Sequence, residues 1–383
     1  MFCTRRIFRT LGPLGIVATV FLAEKAHSQA PVVVNTNVSV RVMASNLSSG
    51  NNQRYETAGL NILKALKPDI VAMQEFNVSN SFGINTAAAL RSMVDTTFGT
   101  NFVYYRESSA SETYTIPNGV ISRYPMITNG SWNDVTSIAD RGFAWARIDV
   151  PGADDLYVVS VHLKASSGSS AQRAIQATNL TALIQSSFPS NAWIIVAGDF
   201  NIGSSGETAL AKFKTYLSDN PIPTDGFSNA STNLNTSEPR SERYDYVLPS
   251  FSLTNILTDV IIGTHTFPKG LVFDSDVYTP LSEVSPVAFG DSHGTNMQHM
   301  GVVKDFRINY TVTNFVTVPS PTLALNSTNI LRWQGVSNVI YSVQASTNLP
   351  TFSTVGTAVS ATTNVSFTNQ GGGAQRFFRV VYP

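Results

Sequence analysis

The four residues Gly198-Asp199-Phe200-Asn201 place a carboxylate and a carboxamide on a tight turn, directly after the apolar run Ile194-Ile195-Val196-Ala197. Glycine and asparagine suit such a turn, and the run before it has the length of a buried strand. Three more polar residues are placed in the same way. Asn46 follows the alternating segment 38–45, Glu75 follows Ile70-Val71-Ala72-Met73, and His162 follows Tyr157-Val158-Val159-Ser160-Val161. Strand ends are where a rigid scaffold aims groups into a shared cleft. A carboxylate beside carboxamides and histidines suits a hard cation such as Mg²⁺, which prefers oxygen ligands and keeps several waters. Such a cation offsets phosphate charge while a histidine or a carboxylate handles protons. Each residue alone has a plainer explanation: a loop cap for Asn46, a solvated acid for Glu75, a half-buried histidine for His162, a simple turn for Asp199. Their common position at strand ends favours function.

The elements that must carry these residues are legible from periodicity. Leu60, Leu63 and Leu66 are at helical spacing within 54–67, and Pro68 stops that helix. Residues 85–97 read as a second helix. Residues 171–187 read as a third, with Ala171, Ile175, Leu180, Leu183 and Ile184 as its apolar face. Strands are expected near 101–106, 118–123, 142–149 and 156–163, at 193–197, at Tyr246-Val247-Leu248 and at Met300-Gly301-Val302-Val303. This alternation predicts an α/β (α+β) domain over 34–308, with its strands in two sheets or one large sheet. Residues 309–321 read as an extended linker or edge strand. Residues 322–383 show no helical pattern. Short strands around 331–333, 340–343, 358–360 and 377–381, with a turn at Gly371-Gly372-Gly373, predict a small β-sandwich. Trp333, Tyr341, Phe377 and Phe378 are expected in its core.

The ordered segments resemble the endonuclease/exonuclease/phosphatase superfamily, which has a DNase I-like fold. The resemblance runs from about 38 to 307. It rests on Val42-Met43-Ala44-Ser45-Asn46-Leu47, Pro68-Asp69-Ile70-Val71-Ala72-Met73-Gln74-Glu75 and Asn118-Gly119-Val120-Ile121-Ser122-Arg123-Tyr124-Pro125. It continues through Val159-Ser160-Val161-His162-Leu163-Lys164, Ile195-Val196-Ala197-Gly198-Asp199-Phe200-Asn201 and Arg243-Tyr244-Asp245-Tyr246-Val247-Leu248. The resemblance implies two packed β-sheets flanked by helices in four layers. It implies in-line attack of water on a phosphodiester or phosphomonoester, with Mg²⁺ (or Mn²⁺ or Ca²⁺) as cofactor. By the same resemblance Glu75 binds the metal, with Asn46 beside it. Asp199 and Asn201 orient the attacking water and a phosphate oxygen. His162 is a phosphate ligand or general acid, and Asp245 orients a catalytic histidine. Arg173 is a further phosphate-holding candidate.

The sequence departs from the family at that catalytic histidine. The family has Ser-Asp-His before a terminal buried strand, whereas here Asp291-Ser292-His293 carries those residue types in another order. Gln298-His299 abuts the strand Met300-Gly301-Val302-Val303. A catalytic histidine needs a strand end to fix it, so His299 is preferred over His293. Gln298 then stands where an acid is expected, and a neutral carboxamide is the weaker metal ligand. The last segment, with Tyr341-Ser342-Val343-Gln344 and Arg376-Phe377-Phe378-Arg379, is similar to fibronectin-like modules of secreted bacterial proteins.

Composition sets the outer bounds. Hydrophobic residues make up 43% of the 383 and charged residues 13%, enough to build a sizeable core. Arg5, Arg6 and Arg9, an apolar stretch from Leu11 to Ala23 and the small-residue site Ala26-His27-Ser28 read as a signal peptide over 1–28. The expected destination is the medium outside a bacterium, or its periplasm. Without that segment the balance is 21 basic against 24 acidic residues, unlike the footprint of a tight nucleic-acid binder. The one cysteine is Cys3, so the remaining chain has no thiol chemistry. The expected substrate is a phosphoester: a nucleic acid, a phospholipid head group or a small phosphodiester. The loops 105–117, 203–243 and 263–290 are expected to shape its mouth. The C-terminal module is expected to bind a surface or polymer, the protein to be a monomer, and no later segment to span a membrane. The alternative is a catalytically reduced binding or adhesion protein on the same fold, motivated by Gln298 and the trailing β-module.

Overall fold

Alternation of apolar residues along the strands builds two sheets whose apolar faces meet. In the computed structural model, residues 28–381 are described apart from 81–82, 108–114, 135, 137–139, 228–232, 295, 319–322, 326–329, 349–350 and 371–376. The signal-peptide reading over 1–28 and the Gly371-Gly372-Gly373 turn therefore lie outside the described residues, Ser28 excepted. The chain divides into two compact units, one of residues 37–310 and one that includes 311–381.

In the larger unit the first sheet contains β1 (Ser28–Ser45), β2 (Ile70–Met73), β3 (Val103–Arg106) and β4 (Gly119–Ser122). The second contains β5 (Met126–Trp132), β6 (Phe143–Ile148), β7 (Leu156–His162), β8 (Trp193–Asp199) and β9 (Asp245–Pro249), in that order. The chain then returns to the first sheet through β10 (Leu257–Thr258), past a hairpin of β11 (Val260–Ile262) and β12 (His265–Phe267), to β13 (Leu271–Phe273) and β14 (Gly301–Val318). The first sheet runs β10-β14-β1-β2-β4-β3, with β13 also paired to β14. Between the sheets lie Val42, Ala44, Ile70, Ala72, Val158, Ile195, Ala197 and Val247. Helices α1 (Thr57–Leu66) and α2 (Ala87–Phe98) cover the outer face of the first sheet through Leu63, Leu66, Leu90 and Val94. Helices α3 (Ser170–Ser187) and α4 (Thr208–Phe213) cover the second through Leu180, Ile184, Leu210 and Phe213. The layering is helix, sheet, sheet, helix, as the fold-class expectation had it.

Some local expectations need correction. The buried stripe of α3 is Arg173, Gln176, Ala177, Leu180 and Ile184, whereas Ile175 is 51% exposed. Two polar side chains with long-range partners displace the hydrophobic guess: Arg173 reaches Glu207, and Gln176 accepts from the Lys164 amide. The segment 263–290 does not form the substrate mouth. Phe267, Leu271, Phe273, Tyr278 and Val284 fill the core beneath α1 instead. Residues 309–318 continue β14.

In the smaller unit β15 (Ala324–Leu325), β16 (Ile330–Gln334) and β19 (Asn364–Thr368) form one three-stranded sheet. β17 (Tyr341–Ser346), β18 (Ser353–Ala358) and β20 (Phe377–Val381) form another. Leu331, Trp333, Tyr341, Val343, Val365 and Phe378 from both sheets share one core, with Trp333 edge-on to Tyr341 at 5.6 Å. Phe377 is only half-buried. Residues 358–360 are a strand end: Val359 is 59% exposed, and the strand itself lies earlier.

Gly198 lies where the second sheet meets Gln74, just beyond β2 of the first. Its φ is +137°, and a Cβ there would collide with the Val161 carbonyl and the Gln74 side-chain amide. Gly198→Ala is expected to destabilise the fold by about 2–4 kcal/mol, through positive φ and overpacking together. Urea unfolding followed by tryptophan fluorescence checks this; an unchanged midpoint contradicts it.

Candidate active site

Parallel pairing brings the ends of strands together, and antiparallel return strands bring their starts to the same edge. β1 and β2 run parallel, so Asn46 and Glu75 leave the first sheet side by side. β7 and β8 run parallel with His162 opposite Asp199, and antiparallel β9 places Asp245 opposite Asp199 on the other side. His299 precedes β14 and is bridged to Ser237. Asn46, Glu75, His162, Asp199, Asp245 and His299 are each at most 6% exposed. All of them except Asp245 line one cleft of about 720 Å³, together with Asn201.

Four nitrogens converge on one oxygen, Asp199 Oδ2. The Asn46 and Asn201 side-chain amides donate to it at 3.1 Å each. His162 Nε2 lies at 3.3 Å and His299 Nε2 at 3.5 Å. Asp199 Oδ1 accepts the Asn201 backbone amide at 2.8 Å. A carboxylate oxygen has about two lone-pair sites; the two amides fill them, and the two imidazole nitrogens lie beside it at ion-pair distance without a hydrogen bond to it. Asp245 Oδ2 holds His299 Nδ1 at 2.9 Å, and the Thr236 hydroxyl accepts the Asp245 amide. Glu75 and Asn201 both have left-handed backbone, at φ +49° and +50°. Non-glycine residues adopt that conformation only when their surroundings impose it.

Electrostatics separates the two histidines. Burial and the nearby Arg141 and His299 charges push His162 well below its usual range, so it is neutral. Burial also works against a charged His299, but the facing Asp245 and Asp199 carboxylates win and raise it, so it is an imidazolium. Burial raises Asp199 and Glu75 above the usual carboxylate range, against hydrogen bonds and the His299 charge. Three buried carboxylates thus share the cleft region with one imidazolium and Arg141, whose Nη1 is already paired with Asp140 at 3.1 Å. Asp245 Oδ1 has no hydrogen-bond partner among the described residues. An oxygen-rich, charge-deficient donor set of this kind fits a hard divalent cation. Ligand-type atoms of Asp199, Asp245 and His299 lie within 4.8 Å of one another. Asp274, Asp276 and His293 do so too, but Arg240 already pairs with Asp274 at 2.6 Å.

The model of the endonuclease/exonuclease/phosphatase family matches residues 45–267. The chain belongs to this family. Members of the endonuclease/exonuclease/phosphatase family are generally divalent-metal-dependent hydrolases of phosphoesters. A family protein from Beutenbergia cavernae DSM 12333 is 14% identical over 90% of this chain and 92% of its own, with a TM-score of 0.45. One from Leptotrichia buccalis C-1013-b is 15% identical over 70% and 99%, with a TM-score of 0.44. The human Nocturnin catalytic domain, solved with a bound sulfate anion, is 16% identical over 74% and 98%, with a TM-score of 0.44. No curated protein matches the chain.

Of His293 and His299, the two candidates for the catalytic histidine, His299 is the one brought to Asp199. His293 bonds Glu238 and Asp274 at 3.1 Å each, away from Asp199. Arg173 is not placed to hold a phosphate. It is 1% exposed, and its guanidinium is spent on Glu207 and on the Lys164 and Ser166 carbonyls. Of the loops expected to shape the mouth, 203–243 contributes Ser237, Glu238, Pro239 and Ser241, and 105–117 contributes Ile116.

Sequence reasoning passed over Arg141, Ser48 and Glu107. Arg141 donates to the His162 and Leu163 carbonyls at 2.9 and 3.1 Å and so fixes the end of β7. Its position just before β6 was the available signal. Glu107 is fully buried and accepts the Asn118 and Gly142 amides at 2.5 and 3.1 Å, tying together two segments of the cleft wall. Burial pushes its carboxyl up to about 7, against those hydrogen bonds. The unfolded chain releases this proton near 4.5, the folded chain near 7. Between those values the folded state binds more protons, so stability falls as pH rises. Glu107→Gln is therefore expected to gain on the wild type steadily from pH 5 to pH 7.5 in urea midpoint. Parallel profiles for the two proteins contradict the assignment.

Proposed function

We propose that this chain is a metal-dependent phosphodiesterase or nuclease-like hydrolase, acting outside the cytoplasm by in-line attack of water. The observation that carries the reading is the crowding of four nitrogens around Asp199 Oδ2, of which only the two amides hydrogen-bond to it. Donors beyond what one carboxylate can satisfy are available to phosphate oxygens, and they are already oriented. Glu75 and Asn46 would hold Mg²⁺ (or Mn²⁺ or Ca²⁺), which supplies positive charge against the phosphate when bound.

Asp199 is the proton acceptor for the attacking water, because its carboxyl is raised toward neutrality by burial. His299 cannot fill that role while two carboxylates keep it protonated. It donates from Nε2 to a phosphate oxygen, and Asp245 fixes its charge and orientation through Nδ1. Neutral His162 presents Nε2 on the same side as a phosphate ligand, and its lowered proton affinity argues against the general-acid alternative. Asn201 fixes Asp199 through its backbone amide and contacts a phosphate oxygen with its carboxamide. Gln298 is neutral and a weaker ligand than an acid, which supports placing the metal on the Glu75–Asn46 side rather than beside His299. The reading of residues 1–28 supports export, and no helix among the described residues is long and apolar enough to cross a membrane. On this reading the C-terminal strands attach the protein, a monomer, to a surface or polymer.

The test is Mg²⁺-dependent, EDTA-sensitive hydrolysis of bis-(p-nitrophenyl) phosphate. Asp199→Ala and His299→Ala are each expected to lower kcat by about 10²–10⁴-fold without unfolding the protein. His293→Ala should retain kcat. An inactive His293→Ala beside an active His299→Ala overturns the histidine assignment. No turnover with any divalent metal, on phosphodiesters or phosphomonoesters, overturns the hydrolase reading in favour of a binding protein.

A further inference from the structure

Ser48 sits two residues beyond Asn46, is 2% exposed, and has no part in the proton chemistry above. Its hydroxyl donates to Glu75 Oε2 and lies 3.5 Å from Asn46 Oδ1. The amide of Asn46 cannot turn over, because its Nδ2 donates to Asp199 Oδ2 at 3.1 Å. Its Oδ1 therefore faces the Ser48 and Glu75 side. Ser48 thus sits between the oxygens of the two residues proposed above to hold the cation. Because the hydroxyl is buried, little water competes for those contacts.

The hydroxyl commits one oxygen of Glu75. That leaves Oε1 as the oxygen Glu75 can offer to the cleft it lines. The left-handed backbone of Glu75 restricts the carboxylate further. Carboxylates bind Ca²⁺ in one- or two-oxygen modes within a loose, high-coordination shell, whereas Mg²⁺ demands a compact octahedron with single-oxygen ligands. We propose that Ser48 is a positioning residue that holds Glu75 as a one-oxygen ligand and thereby selects Mg²⁺ over Ca²⁺. This inference rests on the metal-dependent reading of the cleft. Removing the hydroxyl frees Oε2 to swing toward the cation and lets Asn46 Oδ1 relax. Both changes loosen the site in the direction that suits the larger ion.

The experiment is calorimetric titration of the full chain with Mg²⁺ and, separately, Ca²⁺. Wild type, Ser48→Ala, Ser48→Gly and Ser48→Thr are compared, with thermal unfolding in EDTA to establish which variants fold. Loss of a group that orients a metal ligand typically costs 10–100-fold in affinity. Either hydroxyl-free variant that folds is expected to lose about tenfold or more for Mg²⁺ while Ca²⁺ binding holds or tightens. Ser48→Thr, which keeps a hydroxyl, should preserve the Mg²⁺ to Ca²⁺ ratio. The Mg²⁺-induced rise in Tm should shrink in the hydroxyl-free variants beyond any fall already present in EDTA. Equal losses for both ions, or an unchanged ratio, overturn the selectivity role and leave the hydrolase reading intact. A wild type that binds neither ion overturns both.

Discussion

The Asp199 carboxylate is the fixed point of this structure. One of its oxygens is the target of two amides and two imidazoles, drawn from both sheets. A carboxylate 1% exposed would be costly if left unpaired, and its neighbours exist largely to prevent that. The same groups are in surplus, however. A site that merely neutralised a buried acid would need fewer donors. On the proposed reading the remainder are the groups available to a phosphate oxygen, so the device that stabilises Asp199 would also serve the substrate.

Meeting that constraint requires the two sheets to touch at one end. Gly198 allows it, because a side chain there would strike both Val161 and Gln74. The Gln74 amide donates to the Ser160 hydroxyl at 2.8 Å, and Ser160 donates to the Met73 carbonyl at 3.0 Å, which stitches β2 to β7 just behind the catalytic edge. The left-handed backbones of Glu75 and Asn201 lie immediately beyond these contacts. Such strain persists only where packing on both sides leaves no alternative, and the inter-sheet core supplies that packing.

The elements of the larger unit were largely legible from periodicity, because burial repeats every two residues on a strand and every three to four on a helix. Pro68 did mark the end of α1, with Lys67 in left-handed conformation before it. The face of α3 was misread because Arg173 and Gln176 are buried polar residues with distant partners, and no local pattern reveals a partner 34 residues away in sequence. The 263–290 segment looked like a loop because its strands are three residues long, too short to show alternation. The large hydrophobic residues it carries gave the only hint that it was core.

The sequence alone determined which chemical groups the cleft would contain, and in what order along the chain. Asn46, Glu75, His162, Asp199 and Asn201 could be chosen because each adjoins a run whose apolar character is a local property, and Asp245 behind them from the family resemblance. Tertiary structure decided how they are used. His299 rather than His293 faces Asp199, because β14 neighbours β1 and its start, at Gly301, lies against Met43 and Leu47 at the end of that strand. Arg173 is taken up by Glu207, and Ser48 is brought to Glu75 across 27 residues of chain. Pairings of that kind depend on which strands neighbour one another in space, and local sequence patterning does not encode that.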